Sequence, residues 1–135
     1  MARYLIDTHI FFWAIESPMR LSKAETAILT DPALDVVVSV ASIWELSIKT
    51  ALGRLALPGA RKKIPTDHFT HLASLNGIPI ISIEPTDAEY VRELPLFHRD
   101  PFDRILIAQS LLGGRMMITR DSVFARYPGV QVFVP

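Results

Sequence analysis

Short, nearly unbroken apolar runs alternate along this chain with segments whose apolar residues return every three or four positions. The runs in RYLID, DVVVSV, IPIISI, RMMITRD and VQVFV have almost no polar face, as expected of strands buried on both sides in a parallel sheet. The segments between them read as helices. THIFFWAIE carries Ile10, Phe11, Ala14 and Ile15 at helical spacing. LSKAETAILTDP has Ser22 placed as N-cap and Pro32 beyond its end. SIWELSIKTALGRL presents Ile43, Leu46 and Ile48 as apolar positions, with Gly53 near its stop. DHFTHLASLNG closes on Asn76-Gly77, PTDAEYVRELP opens on Pro85, and DPFDRILIAQSLLGG ends in two glycines. DSVFARYPG is a short helix, and LPGARKKIPTD, with two prolines and a glycine, is the most loop-like stretch.

This alternation predicts one α/β domain over residues 1–135, with a mainly parallel central sheet and helices on both faces. Trp13, Trp44, Phe11 and Phe12 follow helical apolar faces and are expected in the core. In such sheets ligands gather outside the carboxyl ends of the strands, so residues just after a strand carry the chemical interest.

Charge changes this picture little. Fourteen Lys and Arg balance fourteen Asp and Glu, which gives no global support for a polyanion binder. Locally, Lys49, Arg54, Arg61, Lys62 and Lys63 occur between Leu46 and Thr66 with no acid among them. They form either a solvated loop and helix end or a small phosphate-facing patch. Cysteine is absent, so disulfides and thiolate metal sites are excluded. No signal peptide and no apolar run near 18 residues is present, so the chain reads as soluble and cytoplasmic, with no membrane partner.

Four acids fall at strand-to-helix junctions. Asp7 follows the first strand, Glu45 lies early in the helix after VVVSV, Asp103 lies in the first turn after Asp100-Pro101, and Asp121 closes RMMITRD. Each also has a purely local explanation. Asp7 and Asp121 can cap the helices that follow them. Ser42 and Glu45 have the spacing of a capping box. With Asp100 as N-cap and Pro101 at N1, Asp103 falls at N3. Together, however, such junctions converge on one rim of a doubly wound sheet, and two carboxylates 4 Å apart repel by about 4 kcal/mol at an effective dielectric near 20. An oxygen-rich cluster of this kind needs a hard cation, Mg²⁺ or Mn²⁺ rather than zinc. That chemistry points to phosphoryl substrates. No G-x-S-x-G elbow, Walker loop or G-x-G-x-x-G offers a competing reading. The histidines are given no catalytic role: His9 and His98 lie close to the acids in sequence, while His68 and His71 share a helix face.

LIDTHIFFW, SVASIWELSIKTALGRLALP, HRDPFDRILIAQS and MMITRDSVFARY, in this order, resemble the PIN-domain ribonucleases, and among them the VapC-type toxins of bacterial toxin–antitoxin pairs. The resemblance covers nearly the whole chain. Its acidic positions fall on Asp7, Glu45, Asp103 and Asp121, and a supporting hydroxyl position falls on Thr119. It implies a three-layer α/β/α fold, Mg²⁺- or Mn²⁺-dependent RNA cleavage, a homodimer, and a small cognate antitoxin whose tail blocks the acidic pocket. It also implies a structured RNA such as tRNA as the target.

The expected mechanism is metal-dependent hydrolysis of an RNA phosphodiester. Asp7, Glu45 and Asp103 hold the main ion or its waters, and Asp121 completes the outer part of the pocket or helps bind a second metal. Arg104 pairs with a site carboxylate, meets a phosphate or makes a structural salt bridge; Lys49 and Arg54 are candidates for backbone phosphates. Two other classes share the fold pattern. A signalling receiver domain would carry adjacent acids after the first strand and a late lysine, where this chain has Asp7-Thr8 and Thr119-Arg120-Asp121. A silent binding module would have no need of four intact acids.

Overall fold

The computed structural model describes residues 2–55 and 64–134; Arg61, Lys62 and Lys63 of the cationic stretch lie outside them. Four parallel strands form one sheet: β1 (Arg3–Ile6), β2 (Asp35–Ser39), β3 (Ile80–Ile81) and β4 (Met116–Ile118), in the spatial order β3-β2-β1-β4. The apolar strand residues alternate between two cores. Ile6, Val36, Val38 and Ile118 face one side, where they meet Ile10 and Phe11 of α1 (Thr8–Glu16), Ile28 of α2 (Lys23–Thr30), Leu46 of α3 (Val40–Ala51) and Phe69 of α4 (His68–Leu75). Leu5, Val37 and Met117 face the other side. There α6 (Pro101–Gly113) contributes Leu106, Ile107 and Ala108, and the region of α5 (Pro85–Tyr90) contributes Leu94. Burial on both faces is why these strands read as continuous apolar runs. The α/β class and the parallel sheet expected from the pattern are borne out.

Several elements are shorter than their apolar runs. β3 is two residues long because Pro79 has no N–H to give; only its carbonyl joins the ladder, accepting from Val38 N–H at 3.0 Å. VQVFV, expected as a strand, reduces to one parallel bridge between Met117 and Val132. Two backbone hydrogen bonds flank it, Met117 N to Gln131 O and Phe133 N to Met117 O, both 2.8 Å. The helix after Pro85 tightens into a 3-10 turn over Val91–Glu93, and DSVFARYPG is a 3-10 turn over Ser122–Arg126. α6 stops where Gly114 adopts φ +62°, a left-handed conformation that suits glycine.

The expected capping box at Ser42 and Glu45 is not formed. α3 begins three residues earlier, because Ser39 at the end of β2 takes the N-cap position and its hydroxyl accepts from Ala41 N–H at 3.1 Å. This frees Glu45, inside the helix, for other contacts. Ser39→Ala should therefore lower the unfolding free energy by about 1 kcal/mol. Urea unfolding checks this, and an unchanged midpoint would mean the cap is idle.

Trp44 is also not in the core. It is 57% exposed, in a row with Val40, Ile48 and Leu52 at four-residue spacing on the outer side of α3. Its ring meets the edge of Phe102 at a centroid distance of 4.9 Å. Phe11 is buried as expected, and Phe12 and Trp13 are half-buried.

Candidate active site

The chain order places the site. After β1 the chain runs outward to β2 and β3, and α6 then carries it back across to β4 on the other side of β1. The strand order reverses at the β1–β4 pair, the position at which open α/β sheets leave a crevice beyond their carboxyl ends. Asp7 follows β1 there, and Thr119 follows β4 beside it. Asp7 N–H donates to Ile118 O at 3.1 Å. The Thr119 hydroxyl donates to Asp7 Oδ2 at 2.5 Å and accepts from Asp121 N–H at 3.0 Å. Thr119 thus ties the two acids into one frame.

Asp7 has a double role. Its Oδ1 caps α1 by accepting from Ile10 N–H at 2.9 Å, while Oδ2 is turned toward Thr119. The residue is 5% exposed, and burial pushes its carboxyl above the ordinary range. The Ile10 amide, the Thr119 hydroxyl and His9 work against that rise, whereas Asp121 adds to it. Glu45 projects from α3 into the same region. The Thr8 hydroxyl lies 2.7 Å from Glu45 Oε1 and 2.9 Å from Ser42 Oγ. With one proton to give, Thr8 donates to the carboxylate and accepts from Ser42. Lys49, one turn along the helix, holds Glu45 Oε2 at 2.8 Å.

Asp100 caps α6, accepting from Phe102 N–H at 2.8 Å, and Pro101 occupies the first turn. Asp103 is left to face inward. Burial, followed by the negative charge of Asp100, Glu45 and Asp7, pushes its carboxyl up to about 7, with His98 opposing. A carboxyl so raised marks an excess of negative charge in a partly desolvated place. Asp121 goes the other way. Burial would raise it, but its hydrogen bonds with Val123 N–H and His98, reinforced by the charges of His98 and His9, hold its carboxyl below the ordinary range. It also caps the 3-10 turn that follows, accepting from Val123 N–H at 3.0 Å.

His98 is the residue that sequence reasoning missed. Its Nε2 sits 2.8 Å from Asp121 Oδ2 and 3.2 Å from Asp103 Oδ2. Nothing periodic marks it, since it lies in the loop before α6; the only signal was its place two residues before the capping Asp100. The loop is held by Arg104. This arginine is buried and, among the described residues, pairs with no carboxylate, so the expected ion pair is not formed. Its guanidinium donates instead to the carbonyls of Pro95 (2.8 Å), His98 (3.2 Å), Val91 (2.9 Å) and Leu94 (3.3 Å). A flat fork of donors suits that task, because the carbonyls of Leu94, Pro95 and His98 lie outside helix and strand, while that of Val91 also accepts from Leu94 N–H at 3.2 Å. The Tyr127 hydroxyl accepts from His98 N–H at 2.7 Å and fixes the same residue from the other side.

The four acids are thus drawn from four segments onto one rim, with three of the four local capping explanations true at the same time. Among the described residues, the basic side chains in contact with them are Lys49 on Glu45 and His98 between Asp103 and Asp121. Arg120, next to Asp121, is drawn away: it donates to Glu25 Oε1 at 2.6 Å and to Arg20 O at 2.8 Å. Arg54 is exposed. One oxygen each of Asp103 and Asp121 and Nε2 of His98 lie within 4.8 Å of one another, a donor set that fits a divalent ion, with the Asp7 and Glu45 carboxylates close enough to add their charge to Asp103.

Known proteins share this architecture. The PIN domain profile matches residues 4–130. Ribonuclease VapC22 of Mycobacterium tuberculosis is 27% identical over 122 residues, spanning 90% of this chain and 88% of that protein. The structure of VapBC2 from Rickettsia felis, bound to a DNA fragment from its promoter, aligns with a TM-score of 0.69 at 16% identity over 96% of each chain. That of FitAcB from Neisseria gonorrhoeae gives 0.65 at 19% identity, covering 98% of this chain and 97% of that one. A toxin–antitoxin complex from Klebsiella pneumoniae gives 0.60 at 22% identity over 94% of each chain. The structural likenesses concern the fold, while the profile spans all four sequence blocks, and so this chain belongs to the PIN-domain family.

Proposed function

We propose that this protein is a metal-dependent endoribonuclease, the toxin of a toxin–antitoxin pair, acting on structured RNA such as tRNA and so inhibiting translation. The observation that carries the reading is the convergence of Asp7, Glu45, Asp103 and Asp121 on one rim, close enough that burial and the acids around it push the Asp103 carboxyl up to about 7. A structural helix cap has no use for that cost, whereas a cation-binding site does. The similarity to a protein named as a ribonuclease, and to chains solved in toxin–antitoxin complexes, supports the choice of RNA and of a small antitoxin partner. When bound, Mg²⁺ or Mn²⁺ supplies the Lewis-acid charge that polarises a phosphodiester and lowers the pKa of water.

In this reading Asp7, Glu45 and Asp103 hold the main ion or its waters, and Asp121 completes the outer part of the pocket or helps bind a second metal. Thr119 keeps the Asp7 carboxylate in one orientation, and Lys49 keeps Glu45 extended toward the rim. One carboxylate orients or deprotonates the attacking water. The exposed apolar row Val40, Trp44, Ile48 and Leu52 is the kind of surface that a homodimer covers. No described helix is long and apolar enough to cross a membrane, in keeping with a cytoplasmic enzyme.

The test is cleavage of a tRNA pool with Mg²⁺ or Mn²⁺, against the same reaction in EDTA and against Glu45→Gln. Cleavage should need the ion and fall on the order of 10²- to 10³-fold in the variant. Equal cleavage in EDTA would remove the metal from the mechanism, and no cleavage of any RNA would favour a silent binding module.

A further inference from the structure

His98 stands where the centre would otherwise have oxygen donors alone. Its backbone is held on both sides and its ring is packed against an aromatic neighbour. Arg104 holds its carbonyl at 3.2 Å, the Tyr127 hydroxyl accepts its N–H at 2.7 Å, and Phe124 meets its ring nearly edge-on at 5.7 Å. All three anchors are buried. The result is an imidazole nitrogen aimed between two carboxylates. Nε2, one Asp103 oxygen and one Asp121 oxygen all lie within 4.8 Å of one another. Adjacent corners of an octahedral shell with bonds near 2.1 Å are about 3 Å apart. The observed separations from Nε2, 2.8 Å and 3.2 Å, straddle that value.

We propose that His98 is itself a ligand of the bound ion through Nε2, with Asp103 and Asp121, and that it biases the centre toward a first-row transition dication over Mg²⁺. This rests on the acids being a cation site. Imidazole is a borderline donor that suits transition ions, while Mg²⁺ takes oxygen ligands and dehydrates reluctantly. A donor set of carboxylates alone leaves Mn²⁺ and Mg²⁺ closely matched; one nitrogen separates them. In the ion-free state Nε2 lies within hydrogen-bonding distance of Asp121 Oδ2, at 2.8 Å. Ligation needs the Nε2 lone pair, so the single ring proton resides on Nδ1 in the bound form.

The experiment uses the full chain. Mn²⁺ and Mg²⁺ are titrated calorimetrically into wild type and His98→Gln, and Mn²⁺-loaded wild type is examined by pulsed EPR for coupling to ¹⁴N. The expected result is ¹⁴N coupling in wild type and Mn²⁺ bound at least tenfold more tightly than Mg²⁺. His98→Gln should then lose about tenfold or more in Mn²⁺ affinity and less than about threefold in Mg²⁺ affinity. The EPR measurement needs no variant, so a poorly folding His98→Gln does not spare the proposal. Bound Mn²⁺ without ¹⁴N coupling, or equal loss of both ions in the variant, overturns it and leaves His98 as a residue that orients the acids. Absence of any divalent binding to wild type overturns the metal-site reading beneath it instead.

Discussion

Asp103→Asn is expected to reduce RNA cleavage on the order of 10²- to 10⁴-fold and, at the same time, to stabilise the ion-free protein at pH 8. The two effects have one origin. Asp103 is 19% exposed at its side chain, beside Asp100, Glu45 and Asp7, and its carboxyl is pushed from 3.8 up to about 7. A rise of that size corresponds to about 4 kcal/mol between the protonated and ionised forms. Between pH 4 and 7 the folded carboxyl holds a proton that the unfolded chain has already lost. The ion-free protein therefore loses stability as pH rises through that window, and is at its poorest above it. Asparagine keeps the shape and carries no charge, so the variant escapes the penalty. Its Tm in EDTA should exceed that of wild type at pH 8, and the difference should close toward pH 4. A divalent ion should restore wild type and leave the variant unmoved. Melting curves at the two pH values, with and without Mn²⁺, read all of this. A variant that cleaves RNA at the full rate, or that gains nothing in EDTA at pH 8, would remove Asp103 from the centre.

That balance was partly legible in the chain. Strands buried on both faces announce themselves as DVVVSV and RMMIT, because a parallel sheet leaves no polar side to interrupt the run. The rim was legible for a related reason: Asp7, Asp103 and Asp121 each sit where a strand ends or a helix begins, and the resemblance to PIN domains named the same positions. Neither route ranked cap against ligand. For Asp7 and Asp121 the structure makes the carboxylate do both, one oxygen to a backbone N–H and the other toward the crevice. Glu45 was different, since its capping partner Ser42 turned out to lie inside the helix and against Thr8.

What escaped is what tertiary packing decides. Trp44 has the same helical spacing as a core residue, and among the described residues no layer lies outside α3 to cover it. His98 and Arg104 are six positions apart, and no local rule says that one folds back over the other. Arginine after an acidic site residue invites a phosphate reading. Its burial at 8% exposure, among carbonyls, does not.

Arg104→Met tests that last distinction, and with it the support of the whole rim. Methionine replaces most of the apolar stem and removes every donor. The carbonyls of Val91, Leu94, Pro95 and His98 would then lose the guanidinium N–H groups that serve them. A buried carbonyl left without a donor costs about 1–3 kcal/mol; the Leu94 contact is buried and the other three are part-buried, Val91 O keeps its bond from Leu94 N–H, and water entering from the loop side offsets part of the sum. A net loss of about 3–5 kcal/mol is expected in urea unfolding, large against the stability of an ordinary domain. Cleavage should fall even in the cold, where the variant is folded, because His98 is no longer held between Asp103 and Asp121. Arg104→Lys should recover little, since one ammonium group cannot spread donors over four carbonyls as a planar fork does. A phosphate-binding arginine would give the opposite pattern: near-normal stability, a raised KM, and substantial rescue by lysine. Finding that pattern would return Arg104 to the substrate and leave the loop that carries His98 without its anchor.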